Sequence, residues 1–181
     1  LVPLNNGTLG LFDAGLSALA IAGGYATMRL AGVGRTLSTV AIAIAIVTLV
    51  YALTYPIGGL LQHGGMRFGL PVPLIVCWAA AARFERGRRF WVGAGLLVTG
   101  ISSIWALESW LYVTGAAITM IAARAILEPS DRKLGWLLRA TGLVVGSWVV
   151  VQVAFAVVTL FVAGQLPDWG MYLTYLADFL F

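Results

Sequence analysis

Six long apolar runs, at roughly 9–28, 36–61, 68–82, 90–107, 109–127 and 142–163, fill most of this 181-residue chain. A helix needs about 20 apolar residues to cross the hydrocarbon core of a bilayer, within a range of about 17–25. Six such runs leave almost nothing for a water-facing domain. The expected fold is therefore all-α, a single polytopic transmembrane helical bundle over residues 1–181, with about six spans plus a truncated seventh segment. That seventh segment is the terminal MYLTYLADFLF, which stops as abruptly as a helix cut short. The start at Leu1 has no basic stretch ahead of its first apolar run and does not resemble a signal peptide. The chain reads as part of a longer polytopic protein.

Charge sets the orientation. Threading the runs alternately puts Arg29, Arg35, Arg83, Arg86, Arg88, Arg89, Arg124, Arg132, Lys133 and Arg139 in or beside the loops of one side, and only Arg67 on the other. Short loops rich in Lys and Arg stay cytoplasmic. Both termini and the segments around Arg67, Glu108 and Asp168 should then face outward. A soluble domain needs about 25% charged residues, and this chain has 10% against 61% apolar. The net charge of +4 sits in inter-helix loops, where topology and anionic lipid account for it. No nucleic-acid partner is expected. Ten Arg against one Lys, with abundant Ala, Gly and Val, points to a GC-rich bacterial genome, and the expected location is the bacterial cytoplasmic (inner) membrane.

Two stretches depart from a simple up-and-down pattern. LQHGGMRFGLPVP cannot run as one regular helix, because Gly64, Gly65, Gly69, Pro71 and Pro73 interrupt it. Such backbone survives in a bilayer only where protein or a water-filled cavity satisfies it, so residues 62–73 are expected to be non-helical and to line a polar cavity. The run from Phe90 to Leu127, as one helix, would measure about 57 Å, nearly twice the hydrocarbon core. It must fold back, and SSIWALES marks the turn. LGWLLRA is expected to lie along the membrane interface before the last full span. GQLPDWG should end that span, with Gly at the cap and Pro just beyond.

Few residues here carry chemistry. Glu108 stands between Trp105 and Trp110 at the tip of the hairpin. It reads either as a carboxylate that binds a sugar hydroxyl or a cation beside aromatic platforms, or as a solvated turn residue among interfacial tryptophans. Arg67 follows two glycines, and its guanidinium suits a phosphate or pyrophosphate; the plainer alternative is an arginine reaching to headgroups. His63 adjoins that loop but has no partner by spacing. Asp13 is an ionisable group within a span, although a position about a turn past the helix start would also favour it through the dipole. Asp168 fits turn chemistry, and Gln152, Tyr51, Thr54 and Tyr55 fit interhelical hydrogen bonding. A lone cysteine, Cys77, excludes a disulfide framework and a cysteine metal site, and a lone histidine, His63, excludes bis-histidine haem ligation within this chain alone. Phosphate-loop, zinc-protease, nucleophile-elbow and dinucleotide signatures are absent. No metal and no cofactor is expected.

Three stretches, HGGMRFGLPVPL, GISSIWALESWLYVTGA and GQLPDWGMYLTYL, occur in this order between arginine-rich loops. Across about residues 60–176 they resemble the membrane core of bacterial GT-C type glycosyltransferases. The resemblance implies an internal or C-terminal section of an enzyme that transfers sugar from a polyprenyl-phosphate donor on the outer face. An acidic general base in an early outer loop belongs to that pattern, and no residue here matches it, so no catalytic residue is assigned. Arg67 would hold the donor phosphate. Glu108 would be a substrate-side carboxylate, with Trp105, His63 and Asp13 the other substrate-binding candidates. The partners implied are membrane lipid, the polyprenyl-phosphate-linked sugar, and either other membrane subunits or the remainder of a longer chain. The rival class is a non-catalytic integral membrane subunit or scaffold, whose outer loops would be connectors only.

Overall fold

The computed structural model describes residues 6–53, 69–127 and 133–180. Among the described residues the chain forms seven helices and no strand. They are α1 (Asn6–Leu30), α2 (Arg35–Leu53), α3 (Pro71–Arg83), α4 (Arg88–Trp105), α5 (Leu107–Leu127), α6 (Lys133–Ala163) and α7 (Trp169–Leu180). Three of them, α1, α5 and α6, are long and apolar enough to cross a membrane, and they mark a membrane protein. The other expected spans fall short by this measure. α3 has 13 residues, and the 18 of α4 begin with two arginines.

Each break has a local cause. α1 ends in a Schellman motif, with Gly32 at φ +85° and bonds from Gly32 N to Arg29 O (3.1 Å) and from Val33 N to Met28 O (3.0 Å). Pro71 opens α3 in its first turn, where the missing amide donor costs nothing. Residues 71–73 are thus helical, which corrects the expectation of an irregular segment through 73; residues 62–68 lie outside the described residues. The long run 90–127 does fold back. A single extended residue, Ala106 (φ −156°, ψ 146°), separates α4 from α5.

LGWLLRA is not a separate interfacial piece. It forms the first turns of α6, a continuous helix of 31 residues and about 46 Å. Arg124 of α5 lies over the Trp136 ring at 5.5 Å, which ties this end of α6 to the bundle by a cation–π contact. α6 then ends at Gly164 (φ +69°), whose N–H bonds to Leu160 O, as the Gly-then-Pro signal implies.

α4 is the central helix and packs on α3, α5 and α6. Glycine permits these close approaches. A Cβ on Gly100 would lie 2.7 Å from the Ser147 carbonyl oxygen, and one on Gly95 would lie 2.6 Å from Trp78 Nε1. On α1, a Cβ on Gly23 would meet Val72 of α3, as the small-residue pair Gly23-Gly24 leads one to expect. The buried core joins Leu74, Val113, Ala117, Ile121 and Val144. The hydroxyls buried along α4 bond back to their own helix, Thr99 to Gly95 O at 2.8 Å and Ser102 to Thr99 O at 2.7 Å, so their polarity is satisfied within the interior.

Directions follow from the pairs. Trp110 meets Trp148 and Arg124 meets Trp136, so α5 and α6 are antiparallel. Gly100 meets Ser147 and Ser103 meets Gln152, so α4 and α6 run parallel. Gly95 lies on Trp78 and Cys77 across the tight α3–α4 turn, so those two are antiparallel. Arg83, Arg86, Arg88, Arg89, Arg124, Lys133 and Arg139 therefore share one end of the α3–α6 bundle, and the α4–α5 turn lies toward the other.

Candidate functional site

Polar and aromatic side chains gather where α4 turns into α5. Ser103, in the last turn of α4, is buried, and its hydroxyl donates to Gly100 O at 2.7 Å. Its carbonyl is among the last four of the helix and has no intrahelical donor. Two side chains from other helices supply one: Gln152 Nε2 of α6 at 3.0 Å and the Tyr172 hydroxyl of α7 at 3.5 Å. Gln152 Oε1 in turn accepts from Trp169 Nε1 at 3.3 Å. One glutamine amide thus links the end of α4, the middle of α6 and the start of α7.

Glu108 and Trp105 flank this knot. Trp105 is the last residue of α4 and is 45% exposed, while Glu108 stands in the first turn of α5 and is half-buried. A carboxylate in a first helical turn is favoured by the positive end of the helix dipole. Ser109 beside it is fully buried. Trp110 packs edge-to-face on Trp148 of α6, with ring centroids 5.6 Å apart. Among the described residues, the indole N–H of Trp110, that of Trp148 and the Thr114 hydroxyl are buried without a partner.

A groove of about 350 Å³ adjoins the knot along α6. Trp148, Gln152, Ala156 and Leu160 line it at successive turns, and Leu166 and Trp169 close one side. Those two come from the return segment after Gly164. Asp168 caps α7 there, its Oδ1 accepting from Met171 N at 2.9 Å. That is turn chemistry, as the LPDWG pattern suggests.

The sequence candidates are brought together only in part. Trp105 and Glu108 share the α4–α5 turn. Arg67 and His63 lie outside the described residues, as do Thr54 and Tyr55. Asp13 lies within α1, which begins at Asn6 with no acidic residue in its first turn. It is about two turns from Asn6, against the turn or so expected. Gln152 makes the interhelical bond expected of it. The partners Ser103, Trp169 and Tyr172 could not be read from the sequence, since nothing in their spacing relates residues 17 to 69 apart. Among the described residues, no group of His, Cys, Asp and Glu could hold a metal ion. In comparisons with known proteins, no family model matches this chain, and neither does any curated protein or solved structure.

Proposed function

We propose that the chain is a section of a multi-pass bacterial glycosyltransferase core of the GT-C type. It would cross the inner membrane six times, α7 being part of a seventh segment, and take sugar from a polyprenyl-phosphate donor on the outer face. The observation that carries this reading is the content of the end opposite the arginines. There a half-buried carboxylate, Glu108, stands beside the exposed indole of Trp105, next to the Gln152 knot. A carboxylate accepts hydrogen bonds from sugar hydroxyls, and an indole face covers the apolar side of a pyranose. Arg67 would offset the charge of the departing phosphate, the role in which a preorganised cation lowers a barrier most.

The test is sugar transfer from a polyprenyl-phosphate donor by the full-length protein in nanodiscs. Arg67→Ala removes two charge-assisted hydrogen bonds of about 1.5 kcal/mol or more each, so transfer should fall by about 100-fold or more. Arg67→Lys restores charge but not the bidentate fork, and recovery should be partial. Glu108→Gln keeps the side-chain shape and should lower kcat/KM at least about tenfold, through the loss of a charged acceptor. Wild-type transfer in both Arg67→Ala and Glu108→Gln would overturn the reading and favour a non-catalytic membrane subunit.

A further inference from the structure

The parallel helices α4 and α6 touch closely at Gly100 and Ser147 but part toward the arginine end. Gly93 precedes Gly100 by about two turns and so lies on the same face of α4. It is exposed, and a Cβ there would meet nothing within 4 Å. On α6, Leu143 stands about one turn before Ser147 and is 55% exposed. A cleft therefore opens between the two helices. Its α4 wall is the row Arg89, Gly93 and Leu97, and its α6 wall is Arg139 and Leu143, each row stepping by four residues along one face. All five residues are exposed, Leu97 by 57%.

The cleft is apolar within and basic at its mouth. Arg89 lies about 16 Å from the level of Gly100, and Arg139 about 12 Å from the level of Ser147. The helices run parallel, so the two arginines stand within about one turn of the same depth. Charge at this end is far from balanced. With the sequence between α5 and α6 counted, it carries eight basic residues against Glu85, Glu128 and Asp131. Both helices also start here, and neither has an acidic residue in its first turn. Arg88, Arg89 and Lys133 stand where a carboxylate would suit the dipole.

We infer that this cleft holds one anionic phospholipid of the cytoplasmic leaflet. Its phosphate lies between Arg89 and Arg139, and an acyl chain runs along Gly93, Leu97 and Leu143. A guanidinium pairs with two phosphate oxygens at once, and the chain covers the wall that glycine leaves bare. Arg124 takes no part, since it is held over Trp136. An acidic peptide would satisfy the arginines but not the two leucines. A transmembrane helix of a second copy would cover the leucines but leave the arginines unmatched. The transferase reading rests on the opposite end of the bundle and does not enter.

Native mass spectrometry tests the site, because one spectrum reads bound lipid and oligomeric state together. The full chain is released into mild detergent from nanodiscs made of equal parts phosphatidylglycerol and phosphatidylcholine. The parent should keep one phosphatidylglycerol per chain, preferred over phosphatidylcholine by at least about tenfold. Arg89→Gln combined with Arg139→Gln should abolish that preference. Arg86→Gln combined with Lys133→Gln removes the same charge away from the cleft and should leave the preference within about twofold. Gly93→Leu keeps every charge but fills the cleft, and should lower phosphatidylglycerol retention about tenfold. The arginine pair decides alone if Gly93→Leu does not fold. Equal losses in the two double variants would reveal a diffuse positive field and overturn the site. Retention unchanged by Gly93→Leu would overturn it too, as would a parent that leaves the nanodisc as a lipid-free dimer.

Discussion

Gln152 joins three helices through one amide, and its contribution can be measured. In membranes, interhelical hydrogen bonds average about 0.6 kcal/mol and reach about 1.7 kcal/mol, because the unfolded helices also find partners. Gln152→Leu fits the volume but leaves Trp169 Nε1 without its acceptor and gives the Ser103 carbonyl only the long bond from Tyr172. The expected loss is about 1 kcal/mol, read as a lower unfolding midpoint in mixed micelles. Gln152→Glu offers no N–H to Ser103 and should not rescue it. A midpoint unchanged by Gln152→Leu would mean that apolar packing alone holds α4 to α6. Asp168 acts more locally, capping α7 without reaching the bundle.

At the scale of elements, the α4–α6 contact depends on the absence of a side chain. Gly100 faces the Ser147 carbonyl and Val151 at distances that leave no room for a methyl group. Backbone cannot rotate away as a side-chain tip can, so Gly100→Ala should push the helices apart and cost about 1–3 kcal/mol. Gly93, on the same helix but with nothing within 4 Å, is the control. Gly93→Ala should be neutral or slightly stabilising through helix propensity. Thermal unfolding in detergent separates the two, and equal midpoints would contradict the close approach. The helix ends are equally specific: α1 and α6 stop at Gly32 and Gly164, whose positive φ a glycine adopts without strain.

For the molecule as a whole, the shared arginine end of α3–α6 makes a directional prediction. Six basic residues from four helices, and Arg86 of the α3–α4 turn, share that end, while Trp105 and Glu108 lie toward the far end. A membrane-impermeant thiol reagent added to intact cells should label Trp105→Cys and spare Arg86→Cys, with the pattern inverted in inside-out vesicles. Labelling of both from one side would break the α4 crossing and the six-span topology with it. The bundle also exposes much apolar surface along α6, from Val149 to Val162. That is ordinary for a surface whose solvent is lipid.

Hydrophobic run length and punctuation were enough to locate the helices. The six apolar runs correspond to α1–α6, and the Gly-Pro signal after 163 marks the end of α6. These are local matters, settled by burial in lipid, by missing amide donors and by glycine's access to positive φ. For the seven basic residues that share one end of α3–α6, the charge pattern was legible too, because loop arginines follow chain order. Sequence misjudged the start of α3 and the continuity of α6. Proline is harmless in a first helical turn, and Lys133 and Arg139 do not interrupt backbone bonding. Only the tertiary structure decided which residues meet. Ser103, Gln152, Trp169 and Tyr172 come together through helix register and length, and no local pattern encodes the level at which two packed helices lie side by side.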